Sequence, residues 1–273
     1  MFSREYPSRF DVYYLQPSRA PFFYHSFMYA NSRSISSAQT TIHEQLFMLV
    51  DKHARSQFQK PIMPYNKEAF DASIAAWTRA GNAPLILDAG CGVGLSSLHL
   101  ATRYPDSFII GVDQSADRLS RNTQWRGDTP DNLITVRADL VDYWRLLQTA
   151  GVQLARHYIL YPNPWPKVGQ LARRWHGHAV FPTLASLGGE LECRSNWRIY
   201  IEEFAAALAH LSGQAVTCES YVTEAPITPF ERKYIASGHS LWRCRLNLGC
   251  LNRSKFIEKV DMLGEINGKS TVY

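Results

Sequence analysis

The sequence predicts an α/β fold: a doubly wound, mostly parallel sheet of seven strands, with one antiparallel strand and an N-terminal extension. Three observations predict it. Short apolar runs alternate with amphipathic stretches along most of the chain, the pattern of a parallel sheet with helices on both faces. Three successive runs end in an acid, at Asp88, Asp113 and Asp139. The first run is followed by glycines at alternate positions, Gly90, Gly92 and Gly94, and then by apolar residues at helical spacing over 95–101. Strand, glycine turn and helix form the crevice in which open α/β sheets hold nucleotides. A bare strand-to-helix turn is the competing reading.

The elements follow in order. Residues 1–30 hold ten aromatics, with Arg4, Arg9 and Arg19 between them and Pro7, Pro17 and Pro21 interrupting any regular element. Such an arm can stack on unpaired bases; packing across the domain is the simpler expectation. Ile42, Leu46, Phe47, Leu49 and Val50 predict a helix over 40–57, and Phe70, Ile74 and Trp77 another over 67–80. Strands are expected at 85–87, 107–113, 133–139, 157–161, 190–194, 214–221 and 241–248. Helices are expected at 116–125, 140–150, about 171–186, and 196–211. Only a loop separates the last two strands, so one of them should be antiparallel. The domain organisation is then an aromatic extension with its entry helix (1–60), the α/β domain (61–250) and a polar tail (251–273).

Composition narrows the class. Of the 273 residues, 45% are hydrophobic and 19% charged, which calls for a globular core. The net charge of +5 and pI near 8.9 permit a nucleic-acid partner without requiring one. Five scattered cysteines form no CxxC pair, so neither a metal knuckle nor a disulfide framework is expected. The N-terminus lacks the apolar stretch of a signal peptide, and no run is long enough to span a bilayer. The expectation is a cytoplasmic protein, monomeric, with no membrane partner and no metal.

Ligands of such sheets sit beyond the carboxyl ends of the strands. Asp113 lies 19 residues past Gly94, near the roughly 20-residue offset at which a carboxylate takes a ribose diol. Two cofactors compete, a dinucleotide and S-adenosylmethionine. The spacing here is Gly-x-Gly-x-Gly, with Asp88 just before it. An acid at that place repels a pyrophosphate and suits an ammonium or sulfonium group, which favours S-adenosylmethionine. Asp88 then faces the methionine part, Asp113 the ribose and Asp139 the adenine edge. Each acid has a simpler alternative as a helix cap or surface charge.

The most unusual stretch is Tyr161-Pro162-Asn163-Pro164-Trp165-Pro166-Lys167. Three prolines stiffen it. Asn163 offers an amide and a carbonyl to a base edge, Trp165 a stacking face and Lys167 a phosphate contact. Lys167, Arg173, Arg174, His176 and His178, with Arg232, Lys233, Arg243 and Arg245, suggest a basic face for RNA phosphates.

With these residues in view, the chain resembles the tRNA (guanine-N7)-methyltransferase family. The similarity runs over roughly 31–248. It rests on Leu87-Asp-Ala-Gly-Cys-Gly-Val-Gly94, the 161–167 loop, Ser195-Asn196-Trp197 and Thr228-Pro-Phe-Glu231, together with the segment from Arg33 and Ile35 to Gln39. The resemblance implies a class I, Rossmann-like methyltransferase sheet and an RNA substrate, tRNA above all. It implies a cofactor site at Asp88, Asp113 and Asp139 and a catalytic position at Asn163. It also implies substrate contacts at Lys167, Asn196, Thr228 and Glu231, with Glu231 accepting from a guanine edge. The chain departs from the family where Asn163 and Asn196 replace aspartates and where the basic run after Lys167 is thinned. The Asn-Pro-x-Trp order is also similar to the Asn-Pro-Pro-aromatic loop of amino-methyltransferases. That similarity makes an exocyclic amine the alternative target. A non-catalytic RNA-binding paralogue is the alternative outside enzymes.

Overall fold

The computed structural model describes residues 31–56, 58–121 and 129–249. The aromatic arm, the far end of the helix expected at 116–125 and the polar tail lie outside the described residues.

Seven strands form one sheet: β1 (Leu85–Ala89), β2 (Phe108–Asp113), β3 (Leu133–Arg137), β4 (Arg156–Leu160), β5 (Glu190–Ser195), β6 (Glu219–Tyr221) and β7 (Leu241–Asn247). Their order is β3-β2-β1-β4-β5-β7-β6. The β1–β2, β2–β3, β1–β4 and β4–β5 pairs are parallel. Only β7 runs the other way, against both β5 and β6, so one of the last two strands is antiparallel as expected. β1 and β2 are buried along their whole length, which is why both read as unbroken apolar runs up to their terminal acids.

Helices cover both faces. α1 (Leu46–Arg55), α2 (Pro64–Arg79), α5 (Leu140–Thr149), α6 (Phe181–Ala185) and α7 (Arg198–Ser212) share one large core with Leu85, Leu87 and Ile110 of the sheet. The other face is thinner. There α3 (Leu95–Arg103) and α8 (Pro229–Ala236) cover Ile86, Ile109, Tyr158 and Leu160. α4 (Ala116–Ser120) follows β2.

Three expectations change. The single helix over 171–186 is instead two 3-10 turns, Val168–Arg173 and Trp175–Gly177, followed by the short α6. The chain folds back on itself there: a Cβ at Gly177 would lie 2.2 Å from the Leu171 carbonyl oxygen. The stretch between the last two strands holds α8 rather than only a loop, because Thr228 caps it, Pro229 starts it and Glu231 sits at its third position. The strand expected at 214–221 shrinks to β6. No helix among the described residues is long and apolar enough to cross a membrane.

Candidate active site

The strand order reverses between β1 and β4, each continuing to its own side of the sheet. Such a switch point opens a crevice at the strand carboxyl ends. The register sets Ala89 beside Ile159, so the turn after β1 and the loop after β4 leave the sheet side by side.

The turn after β1 is built for a ligand's close approach. Gly90, Gly92 and Gly94 all adopt left-handed backbone, with φ of 81°, 60° and 76°. The Gly90 and Cys91 amides donate to the Val112 carbonyl at 2.8 and 3.0 Å, tying the turn to β2. At Gly92 a Cβ would meet nothing within 4 Å. Glycine is needed there for its φ and for the open space above it.

Asp88 is the penultimate residue of β1 and is buried. Its Oδ2 accepts from the Ser96 and Ser97 hydroxyls at 2.6 and 2.7 Å. Its Oδ1 is buried and has no hydrogen-bond partner among the described residues. Burial pushes the carboxyl above its ordinary value, the two hydroxyls oppose the rise, and Asp113 adds to it. An unsatisfied buried carboxylate oxygen is costly, and a cation placed against it would remove that cost. The donor set therefore fits an ammonium or sulfonium group and not a phosphate. Ser96 and Ser97, which aim this carboxylate, were not among the expected site residues. Their signal is two hydroxyls in the first turn after the glycines.

Asp113 ends β2. Its Oδ2 accepts from the Gly92 amide at 3.0 Å and from Arg118 Nη1 at 3.3 Å, and its Oδ1 from the Ser115 amide at 2.8 Å. It thus joins the glycine turn to the tip of the next strand. Asp139 caps α5, its Oδ1 accepting from the Val141 amide at 2.8 Å, while its own amide donates to Asn66 Oδ1 at 3.0 Å. The capping alternative holds for Asp139, and its Oδ2 has no hydrogen bond within the described residues.

Across the crevice, the 161–167 loop is bent at two non-glycine residues in left-handed backbone, Tyr161 (φ 53°) and Trp165 (φ 46°). Between them Asn163 is exposed, and its amide bonds no described residue. Arg173 lies over the Trp165 ring at 4.8 Å, and Lys167 is exposed beside them.

The remaining expected contacts are placed differently. Thr228 is buried and caps α8, accepting from the Glu231 amide at 2.9 Å. Glu231 is fully buried. Its Oε1 accepts from the Tyr161 hydroxyl at 2.7 Å and Arg194 Nη1 at 2.9 Å, and its Oε2 from the Ile227 amide at 2.7 Å. No part of this carboxylate faces solvent, so Glu231 reaches the crevice only through Tyr161. Asn196 is half-buried and pairs with His239, Nδ2 to Nδ1 at 3.0 Å. The Nε2 of that ring lies 3.2 Å from the Ser32 carbonyl oxygen.

The basic face also loses members. Arg174 and His176 are fully buried against Glu203, and Arg243 and Arg245 pair with Glu219. Lys167 and Arg173 remain exposed at the crevice mouth. Arg194, Arg174, Glu203 and His239 are structural partners of the site that sequence reasoning did not connect. The side chains they pair with at the site, Gln39 and Glu203 for Arg174, Glu231 for Arg194 and Asn196 for His239, are more than 25 positions away in the chain, so no local pattern marks them.

A family model for methyltransferases (Methyltransf_4) matches residues 82–244. The tRNA (guanine-N(7)-)-methyltransferase of Paracidovorax citrulli is 30% identical over 200 residues, covering 68% of this chain and 75% of that protein. The chain belongs to the tRNA (guanine-N7)-methyltransferase family. The corresponding enzyme of Thiobacillus denitrificans is 27% identical over 188 residues, covering 66% of this chain and 81% of its own. Among solved structures, an antibiotic-related methyltransferase aligns over 72% of this chain and 98% of its own, at 18% identity and a TM-score of 0.47. This member is divergent: the exposed residue at the centre of its loop is an amide.

Proposed function

We propose that this chain transfers the methyl group of S-adenosylmethionine to N7 of a guanine in tRNA. The observation that carries the reading is one juxtaposition. A buried carboxylate with an unpartnered oxygen, near the end of β1, stands at the strand end beside which β4 runs into the proline-rich loop that exposes Asn163 and Lys167. Family membership supports the choice of RNA and of N7.

When bound, the cofactor supplies an electrophilic methyl on sulfur. Asp88 would hold its cationic end, Asp113 its ribose and Asp139 its adenine edge, with Gly90, Gly92 and Gly94 giving the backbone room. Guanine N7 carries a lone pair and no proton, so attack needs no strong base. The work left to the protein is alignment and exclusion of water. Asn163 would orient the base by hydrogen bonds, Trp165 would stack on it, and Lys167 with Arg173 would take neighbouring phosphates. Thr228, Glu231 and Asn196 shape the crevice from behind.

An exocyclic amine is the second reading, favoured by the uncharged, unpartnered amide of Asn163. The test is purified protein with labelled cofactor and tRNA from a strain lacking the family enzyme, followed by nucleoside mass analysis. The expected product is 7-methylguanosine. A methylated exocyclic amine in its place would establish the second reading, and no product would refute both. Asn163→Ala should lower turnover on the order of 10²-fold while calorimetric affinity for the cofactor holds. Equal losses of the two would move Asn163 into the cofactor site.

A further inference from the structure

The loop that presents Asn163 is gripped at both ends by buried arginine–glutamate pairs. At the Tyr161 end the pair is Arg194–Glu231. At the other end Arg174 donates from Nε to the Trp165 carbonyl at 3.2 Å and from Nη2 to the Lys167 carbonyl at 3.3 Å. Its Nη1 donates to Glu203 Oε2 at 2.5 Å and to Gln39 Oε1 at 3.0 Å. The guanidinium lies over the Trp197 ring at 4.8 Å.

Glu203, on α7, is the anchor of this arrangement. Its Oε2 also bonds His176 Nε2 at 2.9 Å, and its Oε1 accepts from Gln39 Nε2 at 2.5 Å and the His43 amide at 2.9 Å. Arg174, His176 and Glu203 are all fully buried. Residues 37–43 are drawn over the loop by the same contacts, with the Ser37 hydroxyl donating to the Pro166 carbonyl at 2.6 Å. Burial alone would raise the Glu203 carboxyl. The His176 hydrogen bond and the Arg174 charge outweigh it and hold the group at about 2. Burial pushes His176 down, opposed by its hydrogen bond and charge interaction with Glu203.

We propose that Glu203, acting through Arg174, is a positioning residue for methyl transfer: it fixes the guanidinium that sets the Trp165 and Lys167 carbonyls, and so the direction in which the loop presents Asn163. A core ion pair that only stabilised the fold would not need to spend two of its guanidinium donors on carbonyls of this one loop. The inference rests on the reading of that loop as the methyl-acceptor site.

The test uses the full chain and measures turnover and KM with tRNA, cofactor affinity by calorimetry, and the melting temperature. The variants are Glu203→Gln, Asn163→Ala, their double substitution, and Leu208→Ala as a core control on the same helix. Glu203→Gln should lower kcat about 10-fold or more, with cofactor affinity within about 2-fold of wild type. In the Asn163→Ala background the same substitution should change kcat by less than about 2-fold, because the two act through one loop. Independent, multiplying losses would overturn the proposal. So would an equal fall in kcat for Leu208→Ala at a matched loss of melting temperature. If Glu203→Gln does not fold, Gln39→Ala, at the half-buried edge of the cluster, takes its place. It should show the same dependence on Asn163, and wild-type kcat would overturn the proposal. Wild-type turnover by Asn163→Ala alone would overturn the reading of the loop itself, and the role of Glu203 with it.

Discussion

Replacing Glu231 by glutamine separates a residue that touches the substrate from one that holds the site in shape. The carboxylate makes three bonds inside the protein, to the Tyr161 hydroxyl, Arg194 Nη1 and the Ile227 amide. Glutamine keeps an oxygen for Tyr161 and Arg194 but turns an N–H toward the Ile227 N–H. Loss of charge weakens each of the first two bonds by about 1 kcal/mol, and the donor facing a donor costs about 1–3 kcal/mol. The total of roughly 3–5 kcal/mol matches the usual cost of removing one partner from a buried ion pair. At ~2–4 °C per kcal/mol for a domain of this size, the melting temperature should fall by roughly 10 °C. Urea unfolding and thermal melts give the stability, calorimetry the cofactor affinity, and labelled methyl transfer the turnover. The expected result is a large stability loss, retained cofactor affinity in the folded fraction, and reduced turnover. A Glu231→Gln variant that unfolds within about 1 kcal/mol of wild type yet loses turnover would refute this reasoning and return Glu231 to the substrate.

Two further predictions concern a buried base and the glycine turn. His157 is fully buried and accepts from Trp144 Nε1 at 3.1 Å, and burial pushes it down to about 3. A base depressed on folding leaves the unfolded chain binding more protons. Stability from this group is therefore full above the ordinary value of 6.5 and is lost as pH falls toward about 3. At ~1.4 kcal/mol per pH unit, His157 alone should remove about 2 kcal/mol by pH 5. Urea unfolding of wild type and His157→Gln at pH 7.5 and pH 5 checks it; parallel pH dependence in the two proteins would count against His157 as the group responsible. Gly92→Ala should lose about 1–2 kcal/mol from its left-handed backbone, and its methyl group, pointing into open space, should weaken cofactor binding. A stability loss with unchanged cofactor affinity would show that the ligand does not lie over this turn.

Much of the fold was legible because it is written locally. A strand buried on both faces needs an unbroken apolar run, and β1 and β2 have one. A left-handed turn needs glycine, and alternate glycines mark it at 90–94. The acids at the strand ends were legible as the residues that close those runs; the antiparallel strand was expected from a loop connection that in the fold holds α8. The helix between Thr228 and Ala236 was read as loop and substrate motif, although a Thr-Pro-x-Glu start is equally a helix-cap pattern. The break-up of 168–186 was not legible, because it is set by a close approach of Gly177 to the Leu171 backbone.

The sequence by itself determined the crevice, its glycine turn, its three acids and the stiff loop opposite, because each depends on backbone demands met by residues a few positions apart. Only the tertiary structure decided which polar residues face outward. Arg174 and Glu231 look in the sequence like members of an RNA-binding surface. In the fold they are fully buried, paired with Glu203 and Arg194 across 29 and 37 positions of chain. A charge can leave water only where an opposite charge and its hydrogen bonds are waiting. For these residues those partners come together only when the sheet, α7 and the entry segment pack.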